Sequence, residues 1–297
     1  MWSSIVTGLL GCWFLVVSTY ASAFAQSIVV GGKDFTEQQL IAEITGQYLR
    51  AKGFSIRVRT GFSTPGIRRE QELGLVDVYW EYTGTALLIF NDVQEKLSPA
   101  DAYALIRKQD SRKGLVWLSP SKVDNTYALA MRRADAAARG ITSISDLSVR
   151  IRQGERFRFA CNTEFFIRPD GLGPLQRAYR FVFGPDEVIR MHQNAIYDAL
   201  REGNTIEVGL VFSTDGRIAD FDFLLLEDDK MFFPSYLLAP VVRKSVLDRH
   251  PELENHLKAI SDKLDNTTIA ALNGMIDLQK REVEEVATMF LKATGLL

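Results

Sequence analysis

The chain has little of what covalent cross-linking or metal chemistry requires: two cysteines and three histidines in 297 residues. Cys12 lies in an apolar leader whose removal leaves Cys161 alone, which excludes an internal disulfide from the mature chain even in an oxidising compartment. Cys161 sits in the apolar run FRFACNTEFF and reads as a buried structural thiol rather than a nucleophile. His192, His250 and His256 show no metal-ligand spacing with Cys161 or with one another, so neither zinc nor another cofactor is expected. An excess of charge of one sign is also missing. The balance of 35 basic and 37 acidic residues, net −2, gives no footprint for nucleic acid. The densest basic stretch, VRIRQGERFRF with Arg150, Arg152, Arg156 and Arg158, partly alternates as the solvated face of a strand does. Low-complexity linkers and short-period solenoid repeats are absent as well.

The first 25 residues carry no acidic or basic side chain, and Trp2 to Tyr20 is mostly apolar. Ala23-Phe24-Ala25 is the small-x-small pattern of a signal peptidase site, so residues 1–25 read as a signal peptide, with a mature periplasmic protein beginning at Gln26. Leu9-Leu10-Gly11-Cys12 resembles a lipoprotein cleavage box, but the apolar run continues past Cys12, which argues against lipidation.

What is present is a repeated α/β pattern. A strand at Ser27 to Gly31 precedes a helix started at Thr36, with Gln39 three residues on, and striped by Leu40, Ile41, Ile44 and Tyr48 as far as Gly53. A strand at Phe54 to Arg59, a helix capped at Thr64-Pro65 and running to about Leu73, and a strand at Val76 to Trp80 complete an α/β lobe with a parallel sheet. A comparable set begins near Tyr127: strands at 127–131, 157–161 and 208–212, with helices from Ser143, at 175–183 and at 195–201. After a strand at Leu237 to Val242 the pattern is helical only, from about Glu252 to Leu291. At this length two domains are expected, and the chain crosses between them more than once.

The strand at 76–80 runs into Glu81-Tyr82-Thr83-Gly84-Thr85, and that segment, with five others, carries a family resemblance. The six are GGKDFTEQ at 31–38, DVYWEYTGTAL at 77–87, DNTYALAM at 124–131, TEFFIRPDG at 163–171, VFSTDGRI at 211–218 and LEDDKMFFPSYLLAPVVR at 226–243. In that order they resemble the substrate-binding proteins of ABC importers for glycine betaine, choline, carnitine and related osmoprotectants. The resemblance implies a type II periplasmic binding-protein fold with a ligand cleft between two lobes, residues 26–126 and 237–297 forming one and 127–236 the other. It implies a small quaternary ammonium ligand and an ABC permease of the inner membrane as partners, with the binding protein itself a monomer. It places Tyr82, Tyr127 and Tyr236 on cage tyrosines, and Phe212 on a fourth cage position that is often tyrosine. Lys33, Thr85 and Arg168 match positions that hold a ligand carboxylate in betaine binders, and Asn125 a polar position beside the second cage tyrosine. Phe212 and Trp80, where the motif commonly has proline, depart from the pattern.

These residue types suit that chemistry. A permanently methylated nitrogen has no N–H to donate, so a protein holds it by desolvating its methyl groups against the negative faces of aromatic rings. The planar fork of arginine donates two parallel hydrogen bonds to a carboxylate, and Lys33 precedes a helix start that favours anions. The bland alternative for Arg168 is pairing with Glu164 or Asp170 on the surface; Glu81 suits a turn, Asp215-Gly216 is turn chemistry, and Glu227-Asp228-Asp229 reads as solvated surface or a helix start. Three alternatives to a betaine binder stand: a choline- or carnitine-preferring member of the same family, an amino-acid binder, and an enzyme on the same fold. An amino-acid binder would need acidic acceptors for a primary ammonium, and an enzyme a nucleophile beside a histidine or a paired-carboxylate site; the matched positions supply neither.

Overall fold

The computed structural model describes residues 27–297; the leader, its cleavage site and Cys12 lie outside the described residues. Among the described residues ten strands form two sheets of five. In chain order they are β1 (Ile28–Lys33), β2 (Ile56–Phe62), β3 (Val78–Tyr82), β4 (Leu115–Trp117), β5 (Tyr127–Arg132), β6 (Phe159–Cys161), β7 (Val188–Arg190), β8 (Val208–Phe212), β9 (Phe223–Leu225) and β10 (Leu238–Arg243). The first sheet has the order β2-β1-β3-β10-β4 and the second β7-β6-β8-β5-β9.

Each sheet is mixed, where the βαβ alternation leads one to expect parallel pairing alone. β1 pairs in parallel with β2 and β3, but β10 is antiparallel to β3 and β4. In the second sheet β6 pairs in parallel with β7 and β8, whereas β5 is antiparallel to β8 and β9. The reversed strand in each sheet is the one that arrives from the other sheet. It enters from the cleft end and therefore runs against its neighbours. The two crossings lie side by side, joined by an Asp124–Leu237 bridge and by hydrogen bonds from the Tyr236 N–H and the Ser235 hydroxyl to Asp124, at 2.6 and 2.7 Å.

Helices cover the sheets where the apolar stripes require it, and the tail resolves into Leu253–Ser261, Asn266–Asp277 and Val283–Ala293, the last packed along Thr36–Ala51. Trp80 is fully buried in β3 and donates its indole N–H to Thr45 Oγ1 at 2.9 Å, which satisfies the ring's only polar atom inside the core. A helix at Pro99–Ser111 and the strands β4, β7 and β9 have no counterpart in the sequence reading. β6, equally short, was read only within the longer run Phe157–Cys161.

Several local assignments change. Ser63, not Thr64, caps the helix Thr64–Glu72, its hydroxyl accepting from the Gly66 N–H at 3.3 Å. Thr36 is the first helical residue rather than the cap, and it donates to Asp277 Oδ1 at 2.7 Å in the C-terminal helices. Ser143 does cap its helix, in a capping box with Asp146. Arg150 and Arg152 belong to that helix, Ile144–Arg152, so the basic stretch is not one strand face; Arg156 and Arg158 pair with Glu187 and Glu207. Asp228 is less solvated than its acidic run suggests, for it accepts from the Phe232 and Phe233 N–H groups at 2.8 Å and from the Tyr179 hydroxyl. Cys161 is buried, and burial pushes its thiol up to about 12.

Candidate functional site

The carboxyl ends of the co-directional strands and the amino ends of β5 and β10 face one another across the gap between the sheets. Such an end-on crevice is where α/β sheets present their loops to ligand. β1 delivers Lys33 there, β3 delivers Tyr82 and then Thr85, and β8 delivers Phe212; Tyr127 opens β5, and Tyr236 stands just before β10. With Asn125 from the first crossing and Arg168 from the segment after β6, all eight line one cavity of about 540 Å³.

Aromatic rings run along its wall in a continuous series. Tyr82 stacks on Phe35 at 6.3 Å between centroids, Phe35 meets Phe212 at 5.2 Å, Phe212 meets Tyr127 at 5.6 Å, and Tyr127 meets Tyr236 edge-on at 5.6 Å and 83°. Phe35 was missed by the sequence reading, although it lies two residues past the end of β1. Gly84 permits the Tyr236 position: a Cβ there would stand 2.8 Å from two Tyr236 ring carbons and 2.9 Å from the Ser235 carbonyl oxygen.

Two of the tyrosines have their hydroxyls held by buried acids. Tyr82 donates to Glu37 Oε1 at 2.7 Å, and Tyr236 donates to Asp170. Glu37 also accepts from Asn125 Nδ2 at 3.0 Å, Thr214 Oγ1 at 2.5 Å and Asn273 Nδ2 at 3.4 Å. Burial raises the Glu37 pKa and these four donors oppose the rise. Burial likewise raises Tyr82, Tyr127 and Tyr236, so all three rings carry neutral phenols at pH 7.

The two cations are not bare. Lys33 Nζ donates to Glu81 at 2.6 Å and stands 5.0 Å from the Tyr82 ring centroid. Arg168 presents its fork to Asp170, with both bonds at 2.7 Å, and reaches Glu164 at 2.8 Å. Both pairings proposed as the bland alternative for Arg168 therefore exist, the one with Asp170 in the interior and the one with Glu164 reaching a half-buried partner. Glu81 does more than shape a turn: it neutralises Lys33 and accepts from the Tyr82 N–H at 2.7 Å. Thr85 is buried in the wall, and Asn125 has its Oδ1 without a partner among the described residues.

The second sheet also brings Asn162, Thr163, Glu164, Arg190, His192 and Gln193 to the cavity, none of which the sequence reading proposed. Arg190 ends β7, a strand too short to read, and His192 follows it, whereas Thr163 and Glu164 lay inside a matched segment and were passed over. His192 Nδ1 accepts from the Asn194 N–H at 3.3 Å, a helix-capping bond. Among the described residues no hydroxyl or thiol is hydrogen-bonded to it. The chemistry this wall supports is enclosure of an alkylated cation beside polar groups that can orient its other end.

Residues 26–293 match the family described as the substrate binding domain of ABC-type glycine betaine transport systems. The chain is 41% identical over 281 residues to a glycine-betaine-binding protein of Pseudomonas aeruginosa, covering 93% of this chain and 90% of that one. The apo structure of YehZ from Escherichia coli is similar at 30% identity and a TM-score of 0.69, covering 92% of this chain and all of that one. Lactococcal OpuAC, solved closed on glycine betaine, shares the fold at 14% identity and a TM-score of 0.62 over 91% of this chain and 96% of that one. The two-lobed α/β architecture, the ring-lined cleft between its sheets and the match over nearly all the described residues lead to one assignment: the chain belongs to the family of ABC-transporter substrate-binding proteins of the glycine betaine type.

Proposed function

We propose that this protein is a non-catalytic, monomeric periplasmic receptor that binds a quaternary ammonium solute of the glycine betaine type and delivers it to an ABC permease. The observation that carries the reading is the unbroken series Tyr82–Phe35–Phe212–Tyr127–Tyr236 around one cavity. Five rings in contact offer negative faces to methyl groups. The lobes divide at 126/127 and 236/237, where the crossings pair, so that ligand touching Tyr82 and Phe212 together favours closure. Lys33, Thr85 and Arg168 orient the ligand's polar end, and Asn125 Oδ1 is a further acceptor beside it.

A choline-type ligand is the second reading, favoured by one observation. Lys33 and Arg168 already have carboxylate partners, so an anionic group on the ligand is not required to neutralise them. A thermal-shift and calorimetric screen of the mature protein against glycine betaine, proline betaine, carnitine, choline, ectoine and common amino acids decides between them. A ligand at a hundred times its dissociation constant adds about 2.7 kcal/mol of stability. Stabilisation by amino acids alone, or turnover of a bound ligand, would overturn the proposal.

A further inference from the structure

Two buried carboxylates stand behind the cage without lining the cavity. Glu37 is 2% exposed and Asp170 4%, and each accepts a hydrogen bond from the hydroxyl of a cage tyrosine, Tyr82 and Tyr236 respectively. The four side-chain partners of Glu37 donate to it, which favours the ionised carboxylate against the burial that raises its pKa. A phenol that donates to a carboxylate gains electron density in its ring, and the negative charge behind the ring adds its own attraction for a cation in front of it. The placement matters as much as the charge. An acid inside the cleft would lose its hydration when ligand entered, whereas these acids are desolvated and oriented by folding, before ligand arrives.

We infer that Glu37 and Asp170 are positioning residues that set the preference for a permanent cation: each fixes a tyrosine ring by its hydroxyl and lends that ring negative potential, so that the site distinguishes a trimethylammonium group from a neutral tert-butyl group of the same shape. The inference rests on reading the cavity as a quaternary ammonium site. Asp170 has a second task, since it also neutralises Arg168. A probe pair that shares one carboxylate end separates the two tasks.

The experiment titrates glycine betaine and its carbon isostere, tert-butylacetate, into the wild type, Glu37→Gln and Asp170→Asn by competition calorimetry. Each variant is expected to lower the ratio of betaine affinity to isostere affinity by roughly tenfold, as loss of one charge behind a ring implies at an effective dielectric near that of protein sites. Tyr82→Phe and Tyr236→Phe break the same hydrogen bonds from the ring side, are expected to lower the ratio in the same direction, and stand in for a carboxylate variant that does not fold. Equal weakening of both probes in every folded variant, or an unchanged ratio, would reduce the acids to packing groups and overturn the inference. A wild type that binds no quaternary ammonium at all would instead overturn the site reading, and this inference with it.

Discussion

Lys33 and Glu81, 48 residues apart in sequence, form an ion pair of 2.6 Å with side chains 3% and 0% exposed. The pair ties the end of β1 to the end of β3 at the cavity wall. Removal of one partner leaves the other charge buried and uncompensated, so Lys33→Ala is expected to lower stability by about 3 kcal/mol or more. Urea unfolding of Lys33→Ala beside the double variant Lys33→Met/Glu81→Gln checks this: the double variant removes both charges, keeps an acceptor for the Tyr82 N–H and should recover part of the loss. If the single variant is as stable as wild type, the pair is not closed in solution.

The same neutralisation narrows the expected choice among ligands. With Glu81 on Lys33 and Asp170 on Arg168, the carboxylate of a betaine joins paired cations rather than rescuing bare ones. Glycine betaine should bind more tightly than choline by no more than about tenfold. Competition calorimetry measures the ratio, and a hundredfold preference would mean that the ion pairs open on binding.

The rings should dominate affinity. Each ring facing a desolvated methylammonium is worth about 2 kcal/mol, so Tyr127→Ala and Tyr236→Ala should each weaken betaine binding by roughly thirtyfold or more. Phe35→Ala should cost about tenfold, because Phe35 links Tyr82 to Phe212. Wild-type affinity in all three variants would remove the cage.

Gly84→Ala tests the wall by backbone rather than by ring. Its Cβ would stand 2.8 Å from the Tyr236 ring carbons, so the ring must shift off its bond to Asp170. Betaine affinity should fall about tenfold, a loss of near 1.4 kcal/mol. An unchanged dissociation constant would show that the Tyr236 ring is not held in place for ligand.

Outside the residues that line the cavity, Asp110 is fully buried and receives both arms of the Arg68 fork at 2.8 and 2.6 Å. Burial pushes its carboxyl up, but the Arg68 hydrogen bonds and charge, with Trp117 and Asn91, outweigh it and leave the pKa lowered from 3.8. Because the folded value lies below the unfolded one, the stability this group contributes is present above the unfolded pKa and is lost as pH falls through the folded one. Asp110→Asn should therefore be less stable than wild type at pH 7, with the gap closing below about pH 4. Denaturation midpoints across that range give the answer; a gap independent of pH would mean the ion pair contributes nothing.

What the sequence determined by itself was the alternation of strands and helices and the residues at strand ends. Both follow from local patterns: apolar period, capping residues, and turn chemistry such as that at Asp215-Gly216. Tyr82, Tyr127 and Phe212 were legible as candidate site residues through the resemblance of the segments that carry them, and Tyr127 and Phe212 also open and end strands read from the sequence. Strands as short as β7 carried too little pattern, and Arg190 and His192 were lost with them. Tertiary structure alone decided the direction of β5 and β10, since an antiparallel strand arriving from the other lobe has the same composition as a parallel one. It also decided how the charges are spent. Glu37 reaches Tyr82 across 45 residues and Thr214 across 177, and Lys33 reaches Glu81 across 48. No spacing along the chain encodes such meetings: Lys33–Glu81 and Glu37–Tyr82 arise when β1 and β3 pair in one sheet, and Glu37–Thr214 only when the second sheet brings the end of β8 to the same cleft.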